Sequence, residues 1–361
     1  MIQNGLSRCP AKTRIGLLII CFGSILTACS SIGPKTIPRD RFDYNAAISD
    51  SWKEQALLNI VRLRYGDVPL FVQIASVVSG YTLESSVNVA GINSSLRDSM
   101  VAGGSAKYTD RPTTTYAPIT GDQFNRTFMT PINPRIVLFL LQTGWSANVV
   151  FPLTVDSVNG LRSELASGAS RRVGDEGYYQ FLDLLREAQL SGATSMQIQR
   201  GDEDDETTVL ILRRPEDEKE DSSTSKFSEL LGLQQDLDIY TVKYGFLNSN
   251  DSEIALITRS MLQVFINLAR QISVPDQHIA TGRTLAQLEH PESDNRKLIQ
   301  ISYAMEKPDN AFVTVRYKDY WYYIDDRDFN SKRVFSFVMI LLSLTESGDA
   351  VGLPLVTIPA G

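Results

Sequence analysis

Residues 312–344 read FVTVRYKDYWYYIDDRDFNSKRVFSFVMILLSL. Both kinds of regular structure follow one another here, so this stretch decides the fold class. Phe312–Tyr317 and Tyr320–Ile324 are rich in β-branched and aromatic residues and flank Lys318-Asp319. That is the pattern of two antiparallel strands joined by a two-residue turn. Asp325, Asp326 and Asp328 then stand where a helix N-cap and first turn favour carboxylates. Arg333 to Leu344 is apolar nearly all round and reads as a core helix. Its apolar stretch is too short for a bilayer, which needs about 20 residues. A hairpin running into a buried helix implies an α+β fold, with mixed, mainly antiparallel sheets and packed helices.

Working upstream, Tyr178, Phe181, Leu182, Leu185 and Ala188 share one face of a helix over 175–190. Strands are expected at Ser195–Arg200, Thr207–Arg213, 237–247, 253–257 and 298–305, and helices at 227–233 and 259–272. The first two strands are joined by the acids Asp202 to Glu206, and a second charged run spans Glu216 to Asp221. A polar stretch at 276–296 holds both histidines, His278 and His290, read as surface loop residues. Further upstream, Ile48, Trp52, Ala56, Leu57, Ile60 and Val61 recur at helical spacing, predicting a helix from Asp43 to about Tyr65. Short helices are expected at Asp122–Phe128 and Pro134–Gln142, and a strand over 147–160 that ends at the turn pair Asn159-Gly160. A last strand is expected at Leu355–Ile358. The chain of 361 residues suggests about two domains at roughly 150 residues each. The reading divides it into 43–165 and 166–361, with the boundary falling near 160–175.

Residues 80–118 have a different texture. Leu83, Ser85, Val87, Val89 and Gly91 alternate with Thr82, Glu84, Ser86, Asn88 and Ala90. After a polar tip around Asn93–Ser99, Met100, Ala102, Gly104, Ala106 and Tyr108 alternate with Val101, Gly103, Ser105 and Lys107. This predicts a long β-hairpin, and Val87, Val89, Met100, Ala102, Ala106 and Tyr108 are its candidate membrane or oligomer contacts. Arms of this length match a membrane-crossing strand. A lone hairpin would leave unpaired edges in lipid, so insertion requires several copies to close a shared barrel, as in curli-export-type lipoprotein pores. A half-solvated hairpin shows the same alternation, and a disordered loop is the third reading.

The N-terminus carries Arg8, Lys12 and Arg14 and no acid, then an apolar run from Ile15 to Ala28, the order of an export signal. Leu26-Thr27-Ala28-Cys29 resembles the lipobox of bacterial lipoproteins. The resemblance implies cleavage between Ala28 and Cys29 and acylation of Cys29. Residues 29–42 then form a lipidated tether. Ser30 after the cysteine, where an Asp would resemble an inner-membrane retention signal, favours the periplasmic leaflet of the outer membrane. Several acyl chains would make the anchoring effectively permanent. The stretches 57–65, 110–116 and 315–326 also resemble those of a group of proteobacterial envelope lipoproteins. That likeness implies envelope location and brings no catalytic residues with it.

Losing 28 residues with three bases and no acid leaves 333 residues and moves the net charge from −7 to −10. An acidic chain is a poor partner for nucleic acid. Cys9 and Cys21 depart with the signal and Cys29 is acylated, so no thiol remains for catalysis or a disulfide. Two histidines are too few for a multi-histidine metal cage. The acid runs lack the order of a calcium loop. Tyr320–Asp326 loosely resembles the aspartate strand of transglutaminase-like cysteine proteases, whose chemistry needs a cysteine and a histidine in reach. The single Ser-x-x-Lys match, Ser223 to Lys226, reads as linker, and no Gly-x-Ser-x-Gly elbow occurs. No cofactor is expected. The sequence therefore points to a lipid-anchored, non-enzymatic interaction or assembly module, bound to the membrane through Cys29 and to envelope proteins or to itself. An oligomeric outer-membrane pore or export component using 80–118 is the alternative. A hydrolase working through a pair of acids is a more distant third.

Overall fold

In a computed structural model of the chain, the described residues are 32–345 apart from 79–80, 95–96, 112, 168–169, 193, 201–205, 213–222, 236 and 287–296. Ala28, Cys29, His290 and the strand expected at 355–358 lie outside them. The chain falls into two units, Met1–Lys53 and Glu54–Gly361. Helix α1, Ile32–Arg64, begins in the first. The expected tether is thus helical from Ile32. Pro34 falls in the first turn, whose N–H groups have no intrahelical acceptor, so a proline is tolerated there.

Within the second unit Ala56, Leu57, Ile60 and Val61 are buried, as their spacing predicts. The helix stops in a Schellman motif. Gly66 takes φ +72°, its N–H donates to Leu63 O at 3.2 Å, and Asp67 N–H donates to Arg62 O at 2.9 Å. Four strands follow, β1 (Val72–Val78), β2 (Tyr81–Ser94), β3 (Arg97–Asp110) and β4 (Thr113–Pro118). The helix expected at 122–128 is a short α2 (Gly121–Phe124) running into a π turn, Asn125–Met129. Helix α3 is Pro134–Gln142, with Asn133 Oδ1 accepting from Arg135 N at 2.9 Å.

Residues 147–154 correct the sequence reading. They form helix α4, Ala147–Thr154, and only β5, Val155–Val158, is strand. A short apolar run buried on all sides has no period to separate strand from helix, and six of the eight residues of α4 are buried. Asn159 and Gly160 make the expected turn, both at positive φ. The chain continues through β6 (Leu161–Arg162), β7 (Leu165–Ser167), β8 (Ser170–Arg172), α5 (Glu176–Leu190), β9 (Thr194–Arg200) and β10 (Glu206–Leu212). Helix α5 buries the five residues its spacing singled out. Next come α6 (Ser223–Leu230), β11 (Ile239–Tyr244), β12 (Glu253–Thr258), α7 (Met261–Ala269) and α8 (Asp276–Ala280). Helix α7 starts at a capping box: Ser260 Oγ accepts from Gln263 N at 3.3 Å, and Gln263 Oε1 accepts from Ser260 N at 2.8 Å.

The six-stranded sheet has the order β6-β5-β12-β11-β10-β9, and only β11–β12 is parallel. It runs across the expected division at 165/166, since β5 and β6 share it with strands of 194–258. Phe151, Phe181 and Phe227 bring α4, α5 and α6 together, with ring centroids 5.3 and 5.4 Å apart. At the end of β12, fully buried Arg259 donates to Pro152 O, Ser163 Oγ and Glu164 O. Burial lowers its pKa, opposed by Tyr178 and Asp156. A buried guanidinium is tolerable only when hydrogen-bonded in this way.

The opening hairpin forms as read: β14 (Ala311–Tyr317) and β15 (Tyr320–Asp325), with β13 (Ser302–Ala304) on the far side of β15. The strand expected over 298–305 shrinks to those three residues of β13 plus an isolated bridge, Ile301 to Ile272. Helix α9, Phe329–Thr345, is capped by Asp328, whose Oδ1 accepts from Ser331 N at 3.0 Å. Asp325 and Asp326 pair instead with Arg327 and Lys332, at 2.7 and 2.6 Å. The Arg327 side chain holds the Asp325 carboxyl down at about 2. Val334, Phe335, Phe337, Val338, Leu341 and Leu342 are buried. Among the described residues no helix is long and apolar enough to cross a membrane.

Candidate functional site

The feature that stands apart from the six-stranded and three-stranded sheets is the arm built by β1–β4. Strands β2 and β3 are each 14 residues long and pair antiparallel from Tyr81↔Asp110 to Ser94↔Arg97. Strands β1 and β4 pair from Val72↔Pro118 to Val78↔Thr113. Val78 and Tyr81 lie three residues apart on one side, and Asp110 and Thr113 three apart on the other. From Ser76↔Thr115 inward the two ladders share one register, and a register shift between Ile74 and Ser76 sets off the outermost pairs of β1 and β4. Fourteen residues at about 3.3 Å each give β2 a length of roughly 46 Å, beyond the usual strand of 3–10 residues.

Register decides what each face carries. Positions 83, 85, 87, 89 and 91 stand opposite 108, 106, 104, 102 and 100, so the alternating set that includes Val87, Val89, Met100, Ala102, Ala106 and Tyr108 falls in paired rows of one parity. The other parity holds Glu84 opposite Lys107 and Ser86 opposite Ser105, with the two serine hydroxyls 2.7 Å apart. Thr82, Glu84, Ser86, Asn88 and residues 103–108, which include Ala106 and Tyr108, are exposed. Among the described residues no other strand pairs with β2 or β3. Every second residue along each outer edge therefore turns its N–H and C=O away from the hairpin.

The root of the arm is fixed by α1. Gln55 and Asn59, four residues apart and so on one helix face, each bind a backbone segment with both ends of the amide. Gln55 accepts from Val72 N at 2.7 Å and donates to Val72 O at 3.0 Å. Asn59 accepts from Leu70 N at 2.9 Å and donates to Leu70 O at 2.8 Å. Two side chains thus imitate a neighbouring strand. Phe71, between them, is buried and stacks on Phe128 with centroids 3.9 Å apart, and Ile119 N–H donates to Phe71 O at 2.9 Å.

A buried polar cluster joins α1, α8 and β15. The Schellman stop leaves Tyr65 at the helix end, where its hydroxyl lies 2.7 Å from His278 Nδ1 and hydrogen-bonds Tyr322 Oη. His278 is only 2% exposed, contrary to the surface position expected for it; the end of α8 turns it inward among aromatic rings. Its other nitrogen, Nε2, faces Arg283 at 3.4 Å. A guanidinium only donates, so Nε2 is the acceptor and Nδ1–H donates to Tyr65. Tyr320 meets the imidazole edge-on at 5.1 Å. Lys318 Nζ stands 5.0 Å from the Tyr65 ring centroid and 3.3 Å from Asp67.

Burial, then Arg283 and Lys318, lower the His278 pKa, and Asp319 opposes them. Burial is also the largest cause raising the Tyr65 and Tyr322 pKa values. All three groups are therefore neutral near pH 7. Both imidazole nitrogens are occupied by a phenol and a guanidinium, so His278 activates no serine or thiol. The cluster acts as a polar staple across three elements.

The other sequence candidates fall elsewhere. Ser223-x-x-Lys226 lies on helix α6 rather than in a linker, and Lys226 is exposed. Asp202–Asp205 and Glu216–Asp221 lie outside the described residues. Among the described residues no group of three or more His, Cys, Asp or Glu could hold a metal. Sequence reasoning missed Gln55, Asn59 and Tyr65. The available signal was a pair of amides at helical spacing inside an apolar face. Compared with known proteins, the chain matches no family model, no curated protein and no solved structure.

Proposed function

We propose that this chain is a lipid-anchored protein on the periplasmic face of the outer membrane, acting as a non-enzymatic interaction and assembly module. The arm Val72–Pro118 is its binding element. One observation carries the reading: the 14-residue ladder of β2 and β3, which no other strand joins among the described residues, leaves two open edges, which are templates for another strand. An isolated two-stranded ribbon is marginal in water, and a bound strand would complete it. The anchor rests on the sequence Leu26-Thr27-Ala28-Cys29. In the test, Cys29→Ser is expressed in a Gram-negative host and followed by labelled-palmitate incorporation and membrane fractionation. The variant is expected to lose label and signal cleavage together, whereas unchanged processing would overturn the anchor.

A second reading is favoured by the strand length. Fourteen residues exceed the 9–11 that a tilted membrane strand needs, and arms from several copies could close a barrel with no edge left. A monomer in native mass measurement of the detergent-extracted protein would overturn this second reading, because a ring requires several copies and a monomer cannot close.

A further inference from the structure

We propose that the arm pairs with the arm of a second copy of this chain, head to tail. The outer edge of β2 in one copy lies against the outer edge of β3 in the next, with Glu84 beside the neighbour's Lys107. The proposal deepens the interaction-module reading and rests on it, because copies anchored in one membrane leaflet face it alike.

Arms that point alike offer three edge pairings. β2 against β2 is parallel and sets Glu84 beside a second Glu84. β3 against β3 is also parallel and sets Lys107 beside a second Lys107. Like charges directly opposed across strands are unfavourable. β2 against β3 is antiparallel and continues the pattern that each hairpin already has, in which Glu84 stands opposite Lys107. The row then alternates in sign from copy to copy. Both residues are exposed on described strands, so the row is accessible to a neighbour. The next polar row repeats the logic with neutral groups: Ser86 and Ser105 hydroxyls already meet at 2.7 Å within one hairpin, and the same residues would meet between copies.

Geometry also explains why the partner is a strand of matching length. Among the described residues nothing pairs with either outer edge of the 14-residue ladder, and a short peptide would leave most of those backbone groups unpaired. A second arm has the same length and a complementary charge row.

The test co-expresses two full-length versions, one carrying Ser86→Cys and the other Ser105→Cys. In the lipidated chain no other thiol is free. Oxidation of the mixture is expected to give a bridged dimer at a yield several-fold above either version alone. Glu84→Lys or Lys107→Glu, placed in both versions, should lower that yield several-fold, and the double exchange should restore it. Absence of the mixed bridge, or bridging by Ser86→Cys alone at equal yield, would overturn the proposal. One chain carrying both cysteines is expected to close an internal bridge, which establishes that the hairpin and its register survive. Failure of that internal bridge also overturns the proposal, since the register is then absent. Palmitate label on the same samples keeps the two readings apart. Label without a mixed bridge sinks the self-pairing and leaves the anchor standing, while a bridge without label that still exceeds both single versions several-fold supports the pairing and removes the anchor.

Discussion

Tyr65 shows how much one side chain can hold. Its ring meets His278, Tyr317 and Tyr322 with centroids 5.5, 5.4 and 6.2 Å away, and its hydroxyl sits between a histidine and a second tyrosine. Tyr65→Phe keeps the ring and removes the hydroxyl, leaving His278 Nδ1 without a partner. A buried unsatisfied donor costs about 1–3 kcal/mol, so urea unfolding should show a loss of that order. His278 adds a pH dependence. Its folded pKa lies below the unfolded value of about 6.5, so the unfolded chain binds the proton more readily. Stability is therefore full above about pH 6.5 and falls as pH drops below it. Burial sets this first, then Arg283 and Lys318 against the proton, with Asp319 for it. His278→Gln should flatten the difference in unfolding free energy between pH 7.5 and 5.5, and an unchanged slope would remove His278 as its source. None of this cluster was legible in the sequence. Tyr65, His278 and Tyr322 stand more than two hundred residues apart in part, and a polar-looking context around His278 gave no sign that its helix turns it inward.

Among the elements, the hairpin β14–β15 was the most readable, because alternation and a two-residue gap specify register together. Its turn departs from the favoured chemistry. Lys318 and Asp319 take φ of 45° and 72°, a region where glycine and asparagine are the usual residues. Asp319→Gly should relieve that strain and raise stability by about 1 kcal/mol, read as a higher urea midpoint with the slope unchanged. A lower midpoint would mean that the Asp319 side chain matters more than its backbone. The arm was readable for the same reason as the hairpin: two alternating runs fix their own pairing. Helix α4 was not. Ala147–Thr154 carries Val149, Val150 and Pro152, which disfavour helix, and burial on several sides overrode that propensity.

At the scale of the molecule, the arm and the core of the second unit are separable. The arm is rooted by Phe71 and Ile119, which are buried, and by the amides of Gln55 and Asn59. Beyond the root, Thr82, Glu84, Ser86, Asn88 and residues 103–108 are exposed and Thr109 is half-buried. Replacing residues 76–115 with a short glycine-containing turn should therefore leave the unfolding free energy within about 1 kcal/mol, since stability resides in units of high buried contact. The same change should abolish assembly seen by native mass measurement. A large loss of stability would show the arm to be part of the core. The sequence alone determined the α+β class, the hairpin of residues 312–324, the amphipathic face of α5 and the alternation of the arm, because each is written in local periodicity. It also carries the lipobox expectation, which is a linear motif and needs no fold. The tertiary structure decided that β5 and β6 join strands a hundred residues away, that Gln55 and Asn59 fasten the arm, and that His278 is buried. Those outcomes depend on which surfaces meet, and burial and hydrogen-bond satisfaction are set by neighbours in space rather than neighbours in the chain.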